Sequence, residues 1–141
     1  MLKSVKAGDP LSAIEKQIDQ DMIMRWAKLS GDFNRLHVDL GYARQTSFKG
    51  TIAHGPMSLA FLNELMMGYF GEGWAVGGKL LDVRFVAPIR PGDQIRIGGK
   101  VKEVQKKGEK YSVECELSIE KQEGEKAVLG RAIGLLPGEE K

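Results

Sequence analysis

One segment of the chain, residues 54–70, predicts a helix that is apolar on nearly every side. Its sequence HGPMSLAFLNELMMGYF repeats apolar residues at helical spacing on one face and adds Leu59 and Leu62 on others. Pro56 suits the first turn of a helix, and the glycines that follow from position 68 onward break it. A helix with so little polar surface is buried. We therefore expect the rest of the chain to cover it.

After Gly73 the apolar residues recur at every second position, which is typical of strands. The clearest case is the segment 111–120, YSVECELSIE, which predicts a strand with one buried and one solvated face. Four other segments predict strands: 12–18, 76–86, 94–106 and 127–136. We expect Gly98 and Gly99 to bend or bulge the third of these. The chain is thus predicted to be an α+β protein, with an antiparallel sheet packed on one long helix.

Size and composition narrow the class of protein. A chain of 141 residues suits a single domain, 1–141, with its own core. The net charge of +2 provides no strong field for nucleic acid. Neither a membrane-spanning run nor a secretory signal is visible, and Cys115, the single cysteine, fits a reducing compartment. We expect a cytoplasmic protein without nucleic-acid or membrane partners.

A second helix is predicted upstream, and an irregular segment follows it. Asp19 can cap this helix, which is expected to end near Ser30 and Gly31. Residues 32–53 then carry turn-forming residues and only one short helical signal, around 40–45. Irregular excursions longer than about 12 to 15 residues are often functional in compact domains. This segment is therefore where we look for chemistry.

The irregular segment begins with an acid and a histidine five residues apart. Asp32 and His37 lie in the stretch LSGDFNRLH, and the chain has only 2 histidines. Two proton-handling groups on one loop can face a common substrate and divide acid and base roles between them. The residues alone also allow a structural pair, in which the acid caps a turn and the histidine bonds a loop carbonyl. With His54 they form a conceivable metal set, but no short pairing of ligands supports it, and we expect no metal.

The stretch LSGDFNRLH, followed by IAHG at 52–55 and the apolar helix, resembles the signature of the MaoC-like, (R)-specific enoyl-CoA hydratases. The Ser-Gly-Asp-x-Asn-Pro-x-His run of that family is matched here by Ser30, Gly31, Asp32, Asn34 and His37. The resemblance implies the hot dog fold, in which an antiparallel sheet wraps a long central helix. One position departs from the pattern, because Arg35 stands where the family usually has proline. It can loosen the loop, reach an anionic group or be a surface replacement.

The resemblance also implies a reaction. Asp32 and His37 would activate one water, which adds to the β carbon of a trans-2-enoyl thioester to give the (R)-3-hydroxyacyl thioester; the reverse reaction is a dehydration. Backbone N–H groups at the helix start would stabilise the enolate oxygen. The candidate substrate-binding residues are Asn34, His54, Gly55 and Ser58. On the residues alone, Asn34 is equally a loop brace, His54 a helix-entry residue bonded to backbone, and Ser58 a hydroxyl bonded back to its helix.

The resemblance further implies a homodimer, with an acyl tunnel at the subunit interface, and higher assemblies of dimers. The substrate would be a coenzyme A or acyl-carrier-protein thioester, and the reaction requires no separate cofactor. Phosphates of the carrier need basic partners, for which the candidates are Lys79, Arg84, Arg90 and Arg96. Two other functions stay open on this fold: an acyl-CoA thioesterase and a non-catalytic acyl-CoA-binding protein.

Overall fold

The computed structural model describes residues 4–138, and within them one sheet packs on one long helix. The strands are β1 (Ile14–Gln17), β2 (Lys79–Phe85), β3 (Gln94–Lys107), β4 (Lys110–Glu120) and β5 (Lys126–Pro137). The helices are α1 (Gln20–Ser30), α2 (Arg35–Val38), α3 (Leu40–Ala43), α4 (Gly55–Phe70) and α5 (Glu72–Ala75). The strands pair in the order β1-β3-β4-β5-β2, and each pairing is antiparallel. This is the α+β architecture that the sequence predicts.

Helix α4 is the centre of the core, as its apolar sequence indicates. Leu62 and Met66 are completely buried, and they pack in one cluster with Ile95, Ile97 and Ile119 from the inner face of the sheet. Cys115 belongs to the same cluster, and burial raises the pKa of its thiol to about 12. A thiol held in this way is a packing residue. The sheet therefore wraps α4 and leaves its first turn free to border a cavity.

The position predicted for the irregularity in β3 is wrong by a few residues. Gly98 and Gly99 pair regularly with β4, and the register shifts instead between Val101 and Glu103. At this point Val101 also exchanges backbone hydrogen bonds with the N-terminal segment, at residues 8 and 9. Gly99 has a different role from the one expected, because a side chain there would collide with the carbonyl oxygen of Glu116.

The sequence pattern predicts one of the three short helices in part and the other two not at all. Helix α3 lies inside the predicted signal at 40–45, whereas α2 and α5 are not predicted. Helix α5 forms despite Gly71 before it and Gly73 within it, because Trp74 is buried there and its indole N–H donates to the Asn63 side chain at 2.6 Å. Tertiary burial outweighs local propensity in this turn. Between residues 4 and 138 no helix has the combination of length and apolar character that crossing a membrane requires.

A buried ion pair holds the turn that leads into β3. Lys121 lies 3.1 Å from the carboxylate of Asp93, and each side chain is only 10% exposed. Lys121 also donates to the carbonyl of Pro88 at 2.9 Å, while Gln122 donates to Asp93 at 2.9 Å. The Asp93 carboxylate in turn accepts the backbone N–H of Arg90. The network ties the end of β4 to the segment 88–93, which forms one wall of the candidate site.

Candidate functional site

The loop after α1 is built by side chains that each accept the N–H group two residues further on. Ser30 accepts from Asp32 at 3.2 Å, Asp32 from Asn34 at 3.1 Å, and Asn34 from Leu36 at 3.0 Å. Gly31 closes α1 in the left-handed conformation, with a φ of 80°. This chain of turns explains why serine, aspartate and asparagine alternate here. One oxygen of the Asp32 carboxylate is used in this turn, and the residue is exposed.

Arg35 braces the next turn. Its guanidinium pairs with Asp39 at 3.1 Å, lies 4.5 Å from the ring of Tyr42 and is 65% exposed. Asp39 also caps α3, and the N–H of Tyr42 and the Arg35 guanidinium together lower the pKa of its carboxyl. Arg35 therefore secures the loop without the stiffness of proline. This favours the interpretation that the arginine is a replacement at the surface over the interpretation that it loosens the loop.

The two histidines stack on each other beside this loop. Their ring centroids are 3.9 Å apart with an interplanar angle of 26°. Nδ1 of His37 lies 2.8 Å from the carbonyl of Ile52, and Nε2 of His54 lies 2.9 Å from the carbonyl of Asp32. Because a carbonyl can only accept, each of these nitrogens carries the hydrogen in a neutral ring. The lone pair therefore lies on Nε2 of His37 and on Nδ1 of His54.

The two lone pairs have different environments. His37 is partly exposed and lines a cavity, so its Nε2 can meet a ligand. His54 is 1% exposed, and its Nδ1 has no hydrogen-bond partner among residues 4–138. A buried acceptor without a donor costs about 1–3 kcal/mol. The site retains His54 despite that cost, and its ring bridges the Asp32 backbone and the face of His37.

Asp32 stands close to both imidazoles without bonding to either side chain. One carboxylate oxygen of Asp32 and one ring nitrogen from each histidine lie within 4.8 Å of one another. Oxygen and nitrogen atoms separated by this much can be bridged by one water molecule, which makes hydrogen bonds of about 2.8 Å. The arrangement can therefore hold and polarise a single water.

The same three side chains are also of the types that bind a metal ion, and one ligand atom from each lies within 4.8 Å of the others. A zinc ligand sphere requires lone pairs that converge on one point about 2.0–2.1 Å from each nitrogen. Each imidazole also has one ring nitrogen bonded to a backbone carbonyl, a contact that metal-binding histidines commonly make. A site without a metal therefore stays a prediction from the sequence.

The histidines open onto an apolar cavity of about 380 Å³ at the start of α4. Gly55 and Ser58, from the first turn of that helix, line it beside His37 and His54. A Cβ atom at position 55 would come within 3.2 Å of the Phe85 ring, so a side chain there would crowd the cavity wall and shift that ring. Side chains that the sequence pattern did not single out form the remaining walls: Phe48, Ile52, Ala53, Phe85, Val86, Ala87, Pro88, Ile89 and Val128. A pocket of this size and polarity suits a small apolar group beside a few polar atoms.

The structure brings together five of the six predicted site residues. His37, His54, Gly55 and Ser58 line the cavity, and Asp32 lies beside it. Asn34 is exposed and uses its side chain to cap α2, which is the bracing alternative. Of the missed residues only Ile52 and Ala53 lie within the motifs, and the others come from other parts of the chain.

A larger concavity, of about 1050 Å³, lies on the outer face of the sheet. Arg84, Arg96 and Arg131 line it, and the last two pair with Glu15 and Asp82. It contains no histidine or thiol. The smaller cavity is therefore the better candidate for chemistry.

The four candidate phosphate-binding residues differ in where they lie relative to the cavity. Arg84 and Arg96 face the outer concavity, and Lys79 lies at the opposite end of β2 from Phe85, about 20 Å away at about 3.3 Å per residue. Arg90 follows Ile89, which lines the cavity, and its guanidinium lies 3.7 Å from where a Cβ on Gly50 would be. Because Arg90 does not line the outer concavity, it is the best placed of the four.

Known proteins resemble this chain in sequence. A family model described as "MaoC like domain" matches residues 3–122. The (R)-specific enoyl-CoA hydratase of Rhodospirillum rubrum is 35% identical over 94 residues, which are 66% of this chain and 63% of that protein. The peroxisomal hydratase-dehydrogenase-epimerase of Neurospora crassa is 30% identical over 129 residues, 92% of this chain and 13% of that protein. The chain thus spans less than two thirds of either relative.

A solved structure extends the similarity over the whole fold. The (R)-hydratase from A. caviae, involved in PHA biosynthesis, superposes with a TM-score of 0.77 at 29% identity. The superposition covers 96% of this chain and 100% of that one.

Proposed function

The chain belongs to the MaoC-like domain family, and from that premise we propose that it hydrates trans-2-enoyl-CoA to (R)-3-hydroxyacyl-CoA or catalyses the reverse dehydration. The observation that carries the proposal is the approach of Asp32 and His37 to within 4.8 Å beside an apolar cavity. Its relatives from Rhodospirillum rubrum and A. caviae bear the names of (R)-hydratases, which supports the reaction class and the stereochemistry.

The proton transfers follow from the tautomer of His37. Because Nδ1–H is held by the Ile52 carbonyl, Nε2 is free to take a proton from water. Asp32, whose other oxygen accepts from Asn34, orients that water. As the O–H bond breaks, the oxygen bonds the β carbon and the double-bond electrons move toward the thioester oxygen. His37 then returns the proton to the α carbon, so the site ends as it began.

The start of α4 would stabilise the enolate. The first N–H groups of a helix have no partner within the helix, and its dipole favours negative charge at this end. Gly55 is the first residue of α4 and lines the cavity, which supports its N–H as a donor to the developing oxyanion. Ser58, one turn later, borders the same space and can contact the acyl group.

The proposal is tested by offering the purified protein crotonyl-CoA and longer 2-enoyl-CoAs. We expect the enoyl thioester absorbance to fall and the product to be the (R)-3-hydroxyacyl thioester. Release of free coenzyme A without hydration would show a thioesterase instead. Tight binding of acyl-CoA without any turnover would indicate a binding protein.

We also propose that the working unit is a homodimer that covers β2. This strand is an edge of the sheet, and the apolar side chains Phe85 and Val86 are 55% and 50% exposed where they border the cavity. An open edge with apolar side chains is a ready surface for a second chain. A second copy would bury these residues and complete the cavity wall.

Sedimentation equilibrium is expected to give twice the chain mass for the wild type, and the chain mass for Val86→Asp, because a charge would be placed in the apolar contact. Leu29→Asp is the matched control, since Leu29 is 80% exposed on α1, which follows the opposite edge strand. A monomeric wild type, or a Val86→Asp dimer of unchanged affinity, contradicts this interface.

Arg90 is the proposed contact for a carrier phosphate. A charge-assisted hydrogen bond of this kind contributes about 1.5–3 kcal/mol, so Arg90→Gln should raise KM for a 2-enoyl-CoA by about tenfold or more. The corresponding N-acetylcysteamine thioester carries no phosphate and should show no change. Arg96→Gln, on the outer face, is the control. Equal effects on both substrates would contradict the assignment.

A further inference from the structure

A closed ring of hydrogen bonds surrounds the backbone of His37. The side-chain amide of Gln20 donates to the His37 carbonyl at 2.8 Å, and the Thr51 hydroxyl donates to the amide oxygen of Gln20 at 2.6 Å. The ring nitrogen Nδ1 of His37 bonds the carbonyl of Ile52, the residue next to Thr51. These three hydrogen bonds and the peptide bond between Thr51 and Ile52 form a closed ring that begins and ends at His37.

This ring of hydrogen bonds fixes the orientation of the Gln20 amide. The Gln20 amide can satisfy both contacts in one orientation only, because its nitrogen must face the carbonyl and its oxygen must face the hydroxyl. Thr51 is 5% exposed, so its hydroxyl needs this partner. The His37 carbonyl is among the last four of α2 and has no partner within that helix. Gln20 supplies the missing donor.

Helix α2 is short, and besides the ring the N–H of Ile52 donates to its Leu36 carbonyl at 3.4 Å. It comprises four residues, none of them buried. A helix this short is unstable in isolation, so its position depends on contacts with its neighbours. Gln20 in the first turn of α1 and Thr51 in the segment before α4 connect α2 to two larger parts of the protein. Removing this connection leaves the peptide that carries the imidazole with fewer contacts, among them the long hydrogen bond from Ile52 to Leu36.

We propose that Gln20, oriented by Thr51, is a positioning residue that holds His37 in register with Asp32 and the cavity. The proposal rests on the hydration chemistry proposed above, in which Nε2 of His37 must meet a water beside Asp32. A misplacement of about 1 Å at a catalytic group can lower the rate by about 100-fold. Gln20 contacts neither the cavity nor Asp32, so its effect is expected on the chemical step rather than on substrate binding.

The kinetic test uses pairs of near-isosteric variants. Gln20→Leu and Thr51→Val are expected to lower kcat for 2-enoyl-CoA by about 10- to 100-fold with KM changed less than about twofold. Thr51→Ser keeps the hydroxyl and should retain wild-type kcat. The double variant should be no slower than Gln20→Leu alone, because both substitutions open the same ring. Gln17→Leu, at an exposed position on β1, is the matched control.

A second measurement follows His37 without any turnover. The chain has 2 histidines, so selective ¹⁵N labelling of histidine gives two ring systems. In the wild type we expect opposite neutral tautomers, Nδ1–H for His37 and Nε2–H for His54. In Gln20→Leu the His37 ring should become a tautomer mixture while the His54 ring is unchanged. If Gln20→Leu does not fold, Gln20→Glu replaces it in both experiments. This variant keeps the acceptor for the Thr51 hydroxyl but loses the donor to the His37 carbonyl.

The outcomes separate the two proposals. Loss of kcat together with a mixed His37 tautomer supports the positioning role. Wild-type kcat in folded Gln20→Leu or Gln20→Glu overturns it, and so does a loss of kcat with unchanged His37 signals. If the wild type hydrates no thioester, the proposed function fails, and the labelled spectra still show whether Gln20 orders His37.

Discussion

Asp32→Asn is expected to lower the turnover of crotonyl-CoA by about 10²- to 10⁴-fold with little change in the free energy of unfolding. The asparagine oxygen can still accept the N–H of Asn34, so the turn that the aspartate builds is retained. It lacks the negative charge that orients and polarises water next to His37. Steady-state kinetics and thermal unfolding of the same preparation measure the two effects separately.

Asp21→Asn is the matched control for this experiment. The Asp21 carboxylate is 79% exposed on the first turn of α1, and among residues 4–138 it pairs only with exposed Arg25, at 3.2 Å. Its removal should leave turnover unchanged and alter stability by less than about 1 kcal/mol. His37→Gln is expected to match the loss in Asp32→Asn, and the double variant should lose little more, since the two groups act on one water. Near-wild-type turnover in Asp32→Asn would refute the assigned role.

Lys121→Met is expected to destabilise the protein by about 3 kcal/mol, because it leaves the buried carboxylate of Asp93 without its cation. Both side chains are 10% exposed, and Lys121 also satisfies the Pro88 carbonyl. Since Pro88 lines the cavity, KM for the thioester should rise as well. Urea unfolding at neutral pH measures the stability loss.

The control is Lys100→Met, whose partner Glu116 and own side chain are 48% and 61% exposed, so a loss below about 1 kcal/mol is expected. The effect of Lys121 should also depend on pH. Burial raises the pKa of Asp93, but hydrogen bonds from Gln122, the Arg90 N–H and Lys121 lower it by more, to below its ordinary value. The stabilisation is therefore present at neutral pH and lost as pH falls through the lowered pKa. Equal stabilities of Lys121→Met and Lys100→Met at neutral pH would contradict this assignment.

Most of the fold could be predicted because its signals are local. The alternation over 111–120 became β4, and the apolar segment 54–70 became α4. Helix α5 could not be predicted, since its glycines oppose a helix and only the burial of Trp74 against the core favours it. The bulge in β3 was misplaced for a related reason, because pairing with residues 8 and 9 sets its position.

The sequence by itself determined which loop carries the candidate chemistry. Serine, glycine, aspartate and asparagine at alternating positions build the turns from Ser30 to Leu36 through bonds spanning two residues, so the pattern is readable along the chain.

Only the tertiary structure decided what surrounds His37. The Ile52 carbonyl lies 15 residues away in the chain, the Gln20 amide lies 17 residues away, and the Thr51 hydroxyl that orients this amide lies 31 residues from Gln20. The walls of the cavity add residues from β2 and β5. These contacts depend on how α1, the segment before α4 and the sheet pack around the central helix. No local pattern encodes that packing, because each residue involved has an ordinary local conformation and acquires its role only from its distant neighbours.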